Sequence, residues 1–439
     1  NYLVETNKRI NYFEKQIKFF KYNPKNIINK RILIILFLLY IKIQISISDN
    51  PVIILKINKS GRNKIISMNF VNYLSEVYIN DAKMTEIKNF YEFDKSESTV
   101  KITLKSQLTN YNKLFHECSN ITEIKFENFD TSIITTLAES FYKCSQLKSI
   151  DLSDWDISKV TNISSLFEKC ESLTSIKLPN LKNSNITSMS CAFLNCKQLK
   201  SINLSRIDTS NLIDSKYMFY NCRNLKSLNL SSFNTNKLRD AEAMFFLCLI
   251  LTSLDLSNFD TSQITNMKEF LKECKALAYL NISNFNTSSC TNMDRMFSHC
   301  SSLTSLDLSH FDTSKVENMY KMICDCFKLI NLNVSNFNTS SVKNMNDMFS
   351  NSYKLTSLDL SSFTMESVTN ISYMFNNAAN LEYINLSNSK PFEKVIITNI
   401  FKDTSKNLVI CTKSTVVARQ INNCNIISCS ENWREEQKK

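Results

Sequence analysis

Nine cysteines recur at a constant interval of 26 residues: Cys118, Cys144, Cys170, Cys196, Cys222, Cys248, Cys274, Cys300 and Cys326. Thiols can hold a metal, cross-link, or pack as small apolar groups, and spacing separates these outcomes. Zinc sites draw on closely spaced cysteine pairs and histidine partners. The ladder has no such pairs, and the chain contains only His116, His299 and His310. Disulfides between successive coils lie within bridging range, but an odd ladder leaves one thiol unpaired. Ser352, Ala378 and Thr404 continue the register in place of cysteine, which suits packing better than ligation. The expectation is free, buried thiols, with no metal and no cofactor.

A second recurring group is acidic: Asp130, Asp156, Asp208, Asp260 and Asp312. A calcium ladder would use such residues, yet Asn234, Asn286 and Asn338 take alternate places and no glycine-rich calcium loop accompanies them. Short Asp and Asn side chains bond their own backbone, so a turn role is expected. The single glycine, Gly61, excludes a P-loop or a dinucleotide fingerprint, and no HExxH pair is present. Nothing here supports an enzyme.

An exact repeat without insertions requires one unit stacked on itself, a solenoid. After each cysteine, apolar residues fall three, six and eight positions later, as in Leu303, Leu306 and Leu308 or Leu251, Leu254 and Leu256. The last two alternate with Asp or Asn, as in a strand with one buried face. An aromatic follows (Phe233, Phe259, Phe285, Phe311, Phe337), then Asp/Asn-Thr-Ser, then a Val-Met-Met series such as Val316, Met319 and Met322. Spacing of three predicts a short helical or 3₁₀ turn there. The fold class is an α/β leucine-rich-repeat solenoid, with one short parallel strand and one short helical turn per coil. Stacking at about 4.8 Å per coil makes a rod on the order of 50 Å long. With glycine absent from the repeats, asparagine is expected at most positive-φ corners.

The stretch Cys300-Ser-Ser-Leu-Thr-Ser-Leu-Asp-Leu-Ser-His-Phe-Asp-Thr-Ser-Lys-Val-Glu-Asn-Met319 resembles the BspA-like leucine-rich-repeat surface proteins. The likeness covers about residues 112–411, and 181–186 and 364–368 depart from its Phe-Asp-Thr-Ser signature. It implies a solenoid carried outside the cell and used in adhesion or recognition.

The repeats divide the chain into four parts. Residues 1–48 are basic and then apolar, with Ile32 to Tyr40 an unbroken apolar run, as in a cleaved signal peptide or an uncleaved signal anchor. Residues 49–111 form a small β-rich cap, with strands expected at Pro51–Ile57, Val77–Ile79 and Val100–Leu104. The solenoid of about 11–12 coils occupies 112–404. A C-terminal cap, 405–439, holds Cys411, Cys424 and Cys429, for which one disulfide and free thiols are evenly weighed. No methionine precedes Met68, and the chain ends on Glu-Glu-Gln-Lys-Lys, so further sequence is expected on both sides, with room downstream for a membrane span or a cysteine-rich stalk. Of the formal charge of +11, residues 1–48 contribute +7 (nine Lys/Arg less two Glu). The basic balance therefore belongs to the targeting segment and argues against nucleic acid as a partner.

The candidate binding face consists of outward strand positions: Ser253, Asp255, Ser257, Tyr279, Asn281, Ser305, Asp307 and Ser309. Tyr279 and Tyr383 are its aromatic anchors, while a more variable edge carries Tyr142, Tyr220, Phe246 and Tyr320. The function read from the sequence is non-catalytic adhesion or recognition of a protein or glycan, on the cell surface or secreted. Membrane contact is expected only through an anchor. The alternative is an intracellular interaction scaffold of the same fold.

Overall fold

A coil of 26 residues has too little apolar surface to fold alone, so its conformation is set by what neighbouring coils offer. The computed structural model describes residues 50–179, 185–388, 395–413 and 425–427. The expected signal segment, Cys424 and Cys429 lie outside the described residues. Among the described residues there is no α-helix, and no helix is long and apolar enough to cross a membrane.

The chain enters through seven strands: β1 (Val52–Asn58), β2 (Gly61–Lys64), β3 (Leu74–Ile79), β4 (Ala82–Lys83), β5 (Phe90–Phe93), β6 (Glu97–Leu104) and β7 (Ile121–Glu127). Five of them form one sheet in the order β4-β3-β6-β1-β7, while β2 pairs with β5. Period-two alternation drives this sheet: Ile53, Leu55 and Ile57 of β1 and Val100, Ile102 and Leu104 of β6 are all buried. β7 pairs antiparallel with β1 and also occupies the strand position of the first coil. The N-terminal sheet thus closes the open end of the solenoid, which would otherwise expose its apolar core.

Short strands follow: β8 (Ser149–Asp151), β9 (Ser175–Lys177), β10 (Ser253–Asp255), β11 (Tyr279–Asn281), β12 (Ser305–Asp307), β13 (Asn331–Asn333), β14 (Ser357–Asp359), β15 (Tyr383–Asn385), β16 (Val409–Cys411) and β17 (Asn425–Ile427). Their pairings are parallel and, from β8 to β16, in the 26-residue register, for example Leu306↔Leu332 and Ile384↔Ile410, while β16 and β17 pair at an offset of 16, as in Ile410↔Ile426. The strand face is not one continuous sheet. It breaks into the pairs β8-β9, β10-β11 and β12-β13 and the four strands β14 to β17. Accordingly Leu254, Leu306 and Leu358 are fully buried, whereas Leu228, Leu280 and Leu332 are only partly so.

Among the described residues the expected helical turn does not recur from coil to coil, the solenoid holding a single short 3₁₀ turn at Thr131–Ile133, which makes the class an all-β solenoid rather than α/β. The reason is in the hydrogen bonds. In Met319–Asp325, alternate amides leave the coil: Met319 N donates to Asn344 O, Lys321 N to Asn346 O, Ile323 N to Met348 O and Asp325 N to Ser350 O. The amides between them close local turns, Met322 N to Met319 O and Cys324 N to Lys321 O. A 3₁₀ run would direct every amide along the chain and leave none for the next coil. Lys321 and Asp325 instead take positive φ, aiming their amides sideways. The same two positions do so in coil after coil, and asparagine is a minority there: Lys113, Glu117, Glu139, Lys143, Glu269, Glu273, Arg295 and His299 all have positive φ. The expectation that asparagine supplies most such corners is therefore corrected. The lateral bond, not the side chain, selects the conformation.

This return segment, unlike the strand face, is continuous. Parallel bridges run at every step from Asn110 through Asn162, Asp214, Asn266, Asn318 and Asn370 to Ile396. The Asn or Asp at the bridge opens the turn by accepting the amide two residues on, as Asn318 Oδ1 does from Tyr320 N at 3.0 Å. Buried threonines stitch the opposite corner: Thr261 Oγ1 donates to Asn286 O at 2.8 Å and accepts from Asn286 N at 2.8 Å. The core between holds stacked phenylalanines, with Phe141 and Phe167 5.2 Å apart and Phe193 and Phe219 5.4 Å apart.

Truncating Leu306 to Ala should cost about 2–5 kcal/mol by leaving a cavity. Asp307→Asn keeps the acceptor for Ser309 N, a 3.0 Å bond, and should change stability by less than about 0.5 kcal/mol. Denaturant unfolding of the two variants checks this, and equal losses would contradict the strand assignment.

Candidate functional site

The ladder thiols are free and buried, and from Cys144 to Cys326 each has a partner that sequence spacing did not reveal. Cys144 Sγ donates to Phe115 O at 3.3 Å, Cys222 Sγ to Phe193 O at 3.2 Å, and Cys274 Sγ to Phe245 O at 3.1 Å. In every case the acceptor is 29 residues earlier, on the coil before. Ser352 Oγ makes the same bond to Ile323 O at 3.4 Å, which explains why serine can continue the register. Burial pushes the thiols of Cys222, Cys274 and Cys326 up to about 12. They are protonated hydrogen-bond donors, not nucleophiles. Among the described residues no three His, Cys, Asp or Glu side chains are placed to hold a metal ion.

One cysteine off the ladder keeps different company. Cys324 Sγ donates to Asp325 Oδ2 at 2.7 Å and lies 3.1 Å from Ser350 Oγ, while His299 Nε2 sits 3.2 Å from the same carboxylate oxygen. The carboxylate stands between thiol and imidazole, so the ring does not take the thiol proton. Burial, followed by the bond to Asp325, raises the Cys324 thiol far above its usual range. That is the reverse of nucleophile activation. The signal for this cluster was Cys324 itself, two residues ahead of ladder Cys326.

On the strand face, Ser253, Asp255, Tyr279, Ser305 and Asp307 are exposed, and Ser257, Asn281 and Ser309 are half-buried. The carboxylates are already engaged: Asp255 Oδ1 accepts from Ser257 N at 2.9 Å and Asp307 Oδ1 from Ser309 N at 3.0 Å. These bonds hold both acids below the usual carboxylate range. Tyr279 is 56% exposed, but Tyr383, expected as a second anchor, is buried. The face therefore offers one aromatic among small polar groups with their partners in place.

The turn edge, formed by the return segments, differs in every coil. Its two positive-φ columns and the residues between them carry the variable side chains. Towards the N-terminus, His116 stacks on Tyr142 with ring centres 4.7 Å apart, and Lys143 and Lys169 lie 5.2 and 5.1 Å over the Tyr142 ring. Lys143 also pairs with Glu117 at 2.7 Å. The middle coils are apolar: Leu194, Tyr217, Tyr220, Phe246 and Leu247 are half-buried and Ile250 is exposed. Tyr220 meets Phe246 edge-on at 4.7 Å, and Tyr217 donates to Glu242 Oε1 at 2.8 Å. Further on, charge returns with Arg295 4.5 Å over Tyr320 and the His299–Asp325 pair. Tyr142, Tyr220, Phe246 and Tyr320 thus both pack on neighbouring coils and keep part of each ring at the surface.

At the C-terminal end, Cys411 is disulfide-bonded, with its partner outside the described residues. The sequence weighs one disulfide and free thiols evenly among Cys411, Cys424 and Cys429, and the last two lie outside the described residues.

Four overlapping stretches, residues 84–200, 174–253, 246–332 and 307–409, match the family model described as Mycoplasma protein of unknown function, DUF285. No curated protein matches the chain. Among solved structures it is similar to the functional domain of InlJ from Listeria monocytogenes, described as including a cysteine ladder (18% identity over 73% of this chain and 72% of that one, TM-score 0.21). It is also similar to a leucine-rich repeat protein from Eubacterium ventriosum (16% identity, 62% and 81% of the two chains, TM-score 0.26). A third is TLR13 in its complex with ssRNA13 (15% identity, 60% of this chain and 49% of that chain, about half its length, TM-score 0.21). Overlaps at these scores carry no argument, and the fold rests on the coil geometry.

Native alkylation at pH 8 should modify half-buried Cys191 before any ladder cysteine, as read by mass spectrometry. A buried thiol whose folded value is raised stabilises the protein fully below its unfolded value of about 8.5. That contribution is lost as pH climbs from there towards about 12. The melting temperature of the protein should therefore fall above about pH 9, and less steeply for Cys222→Ser, whose hydroxyl keeps the bond to Phe193 O.

Proposed function

The chain belongs to the DUF285 family, and we propose that it is a non-catalytic recognition protein, displayed on the cell surface or secreted, as the BspA-like resemblance implies. The observation that carries this reading is the turn edge: an aromatic and aliphatic centre at Leu194, Tyr217, Tyr220, Phe246 and Ile250, flanked on both sides by charged clusters. Protein-binding surfaces have this composition, with apolar aromatic anchors inside a polar rim. The strand face at Ser253, Asp255, Ser257, Tyr279, Asn281, Ser305, Asp307 and Ser309 adds a secondary surface of many weak contacts. The partner is a protein, with a glycan as the lesser alternative.

Export is supported by the sequence of residues 1–48 and by the disulfide at Cys411, since disulfides persist in oxidising compartments. The free cysteines favour the intracellular scaffold instead, but those of the ladder are shielded within the core and tolerate either compartment.

Two experiments separate these readings. Residues 1–60 fused to a reporter should carry it into the secretory route, whereas retention in the cytosol would make the scaffold the better account. In attachment assays with the whole protein, Ile250→Lys should weaken binding about tenfold or more and Tyr279→Ala less than about threefold. Both side chains are exposed, so melting temperatures should stay close to that of the parent. The opposite order of effects would move recognition to the strand face.

A further inference from the structure

The solenoid's N-terminal mouth holds an open cleft of about 470 Å³ lined by Ile124 to Phe129 of β7 and its following turn, and by Asp151, Asp154 and Trp155. Three aromatic rings meet there. Phe126 lies edge-on to Trp155 with centres 4.9 Å apart and edge-on to Phe129 at 5.2 Å, while Phe129 and Trp155 are near-parallel at 6.5 Å. Packing between the N-terminal sheet and the next coil accounts for the rings. It does not account for the charges around them.

Two lysines stand at the cleft, each with one close acidic partner: Lys125 pairs with Glu123 at 3.4 Å and Lys177 with the lining residue Asp151 at 2.7 Å. Glu127 and Asp154 line the same cleft and are exposed, yet neither makes an ion pair among the described residues. Two exposed carboxylates without a close ion pair, of which Asp154 feels the Lys177 charge at longer range, stand beside clustered aromatic rings and suit a cation that carries its own apolar surface. Ring faces attract such a group, and a carboxylate fixes its charged end. Arginine has this character, with a planar, weakly hydrated head that both stacks and bonds in a fork. Asp151 is an outward residue of β8, so the cleft continues into the strand face.

We propose that this cleft receives an arginine side chain of the protein partner. The inference rests on the recognition reading for the existence of a partner, but its test reads the cleft alone. Trp155 is the reporter, in full-length protein carrying Trp433→Phe. A blocked hexa-arginine peptide should change Trp155 fluorescence saturably. Glu127→Gln with Asp154→Asn should weaken that binding at least tenfold at an unchanged melting temperature. A charge-matched pair on the N-terminal sheet, Glu92→Gln with Asp94→Asn, should leave it within twofold. Equal weakening by both pairs, or no saturable signal, would overturn the proposal. Tetramethylammonium saturating at the same concentration as the peptide would also overturn it, by reassigning the cleft to a small cation. Failure here with Ile250-dependent attachment intact would remove the arginine pocket and leave the recognition reading standing.

Discussion

Everything in this solenoid depends on a lateral hydrogen bond between return segments. At four places per coil an amide leaves its own turn for a carbonyl of the next coil, as from Met319, Lys321, Ile323 and Asp325. Left-handed backbone costs a non-glycine residue on the order of 1 kcal/mol, and two such residues per coil are tolerated because each donates one of these bonds. A buried amide left unmade would cost more, about 1–3 kcal/mol. The ladder thiols reinforce the same seam from the other side. The Phe193 carbonyl accepts both Cys196 N of its own coil and Cys222 Sγ of the next.

A second constraint doubles the repeat. Along the strand face the charged position reads Asp255, Asn281, Asp307, Asn333, Asp359 and Asn385, and the turn position reads Asp208, Asn234, Asp260, Asn286, Asp312 and Asn338. Coils stack about 4.8 Å apart, where two carboxylates directly above one another would repel. Alternation with asparagine removes that repulsion and supplies a donor, as Asn385 Nδ2 to Asp359 Oδ1 at 3.0 Å. The strand pairs β10-β11, β12-β13 and β14-β15 coincide with these Asp-over-Asn pairs. The structural period of this region is therefore two coils.

These two constraints also divide labour over the surface. On the strand face, side chains of Asp, Asn and Ser are consumed in holding the turns. On the turn edge the positive-φ residues are held by their amides, so many side-chain types fit there, and those side chains pair across coils in varied ways, as Lys143 with Glu117 and Asn351 with Asp325. Lysine, glutamate, arginine, histidine and tyrosine all occupy those columns. Variety accumulates where the backbone alone carries the fold, and that is where a recognition surface can be built.

The sequence alone determined the coil, its length, its register and its buried leucines, phenylalanines and thiols, because each is a matter of periodicity. The exposed strand positions from Ser253 to Ser309 and the N-terminal strands at Ile53, Val77 and Val100 were legible for the same reason. Periodicity says which residues share a column, but not which way an amide points. Spacing of three in Val316, Met319 and Met322 fits a helical turn equally well, and only contact with the next coil turned alternate amides outward. Tyr383 reads as exposed by its strand position, yet it is buried once the final coils β16 and β17 stack on it. Likewise His299, Cys324 and Asp325 meet across a coil boundary, and Phe126, Phe129 and Trp155 gather around a cleft beside Glu127 and Asp154. Such meetings depend on how one coil sits against another, a relation the tertiary structure decided.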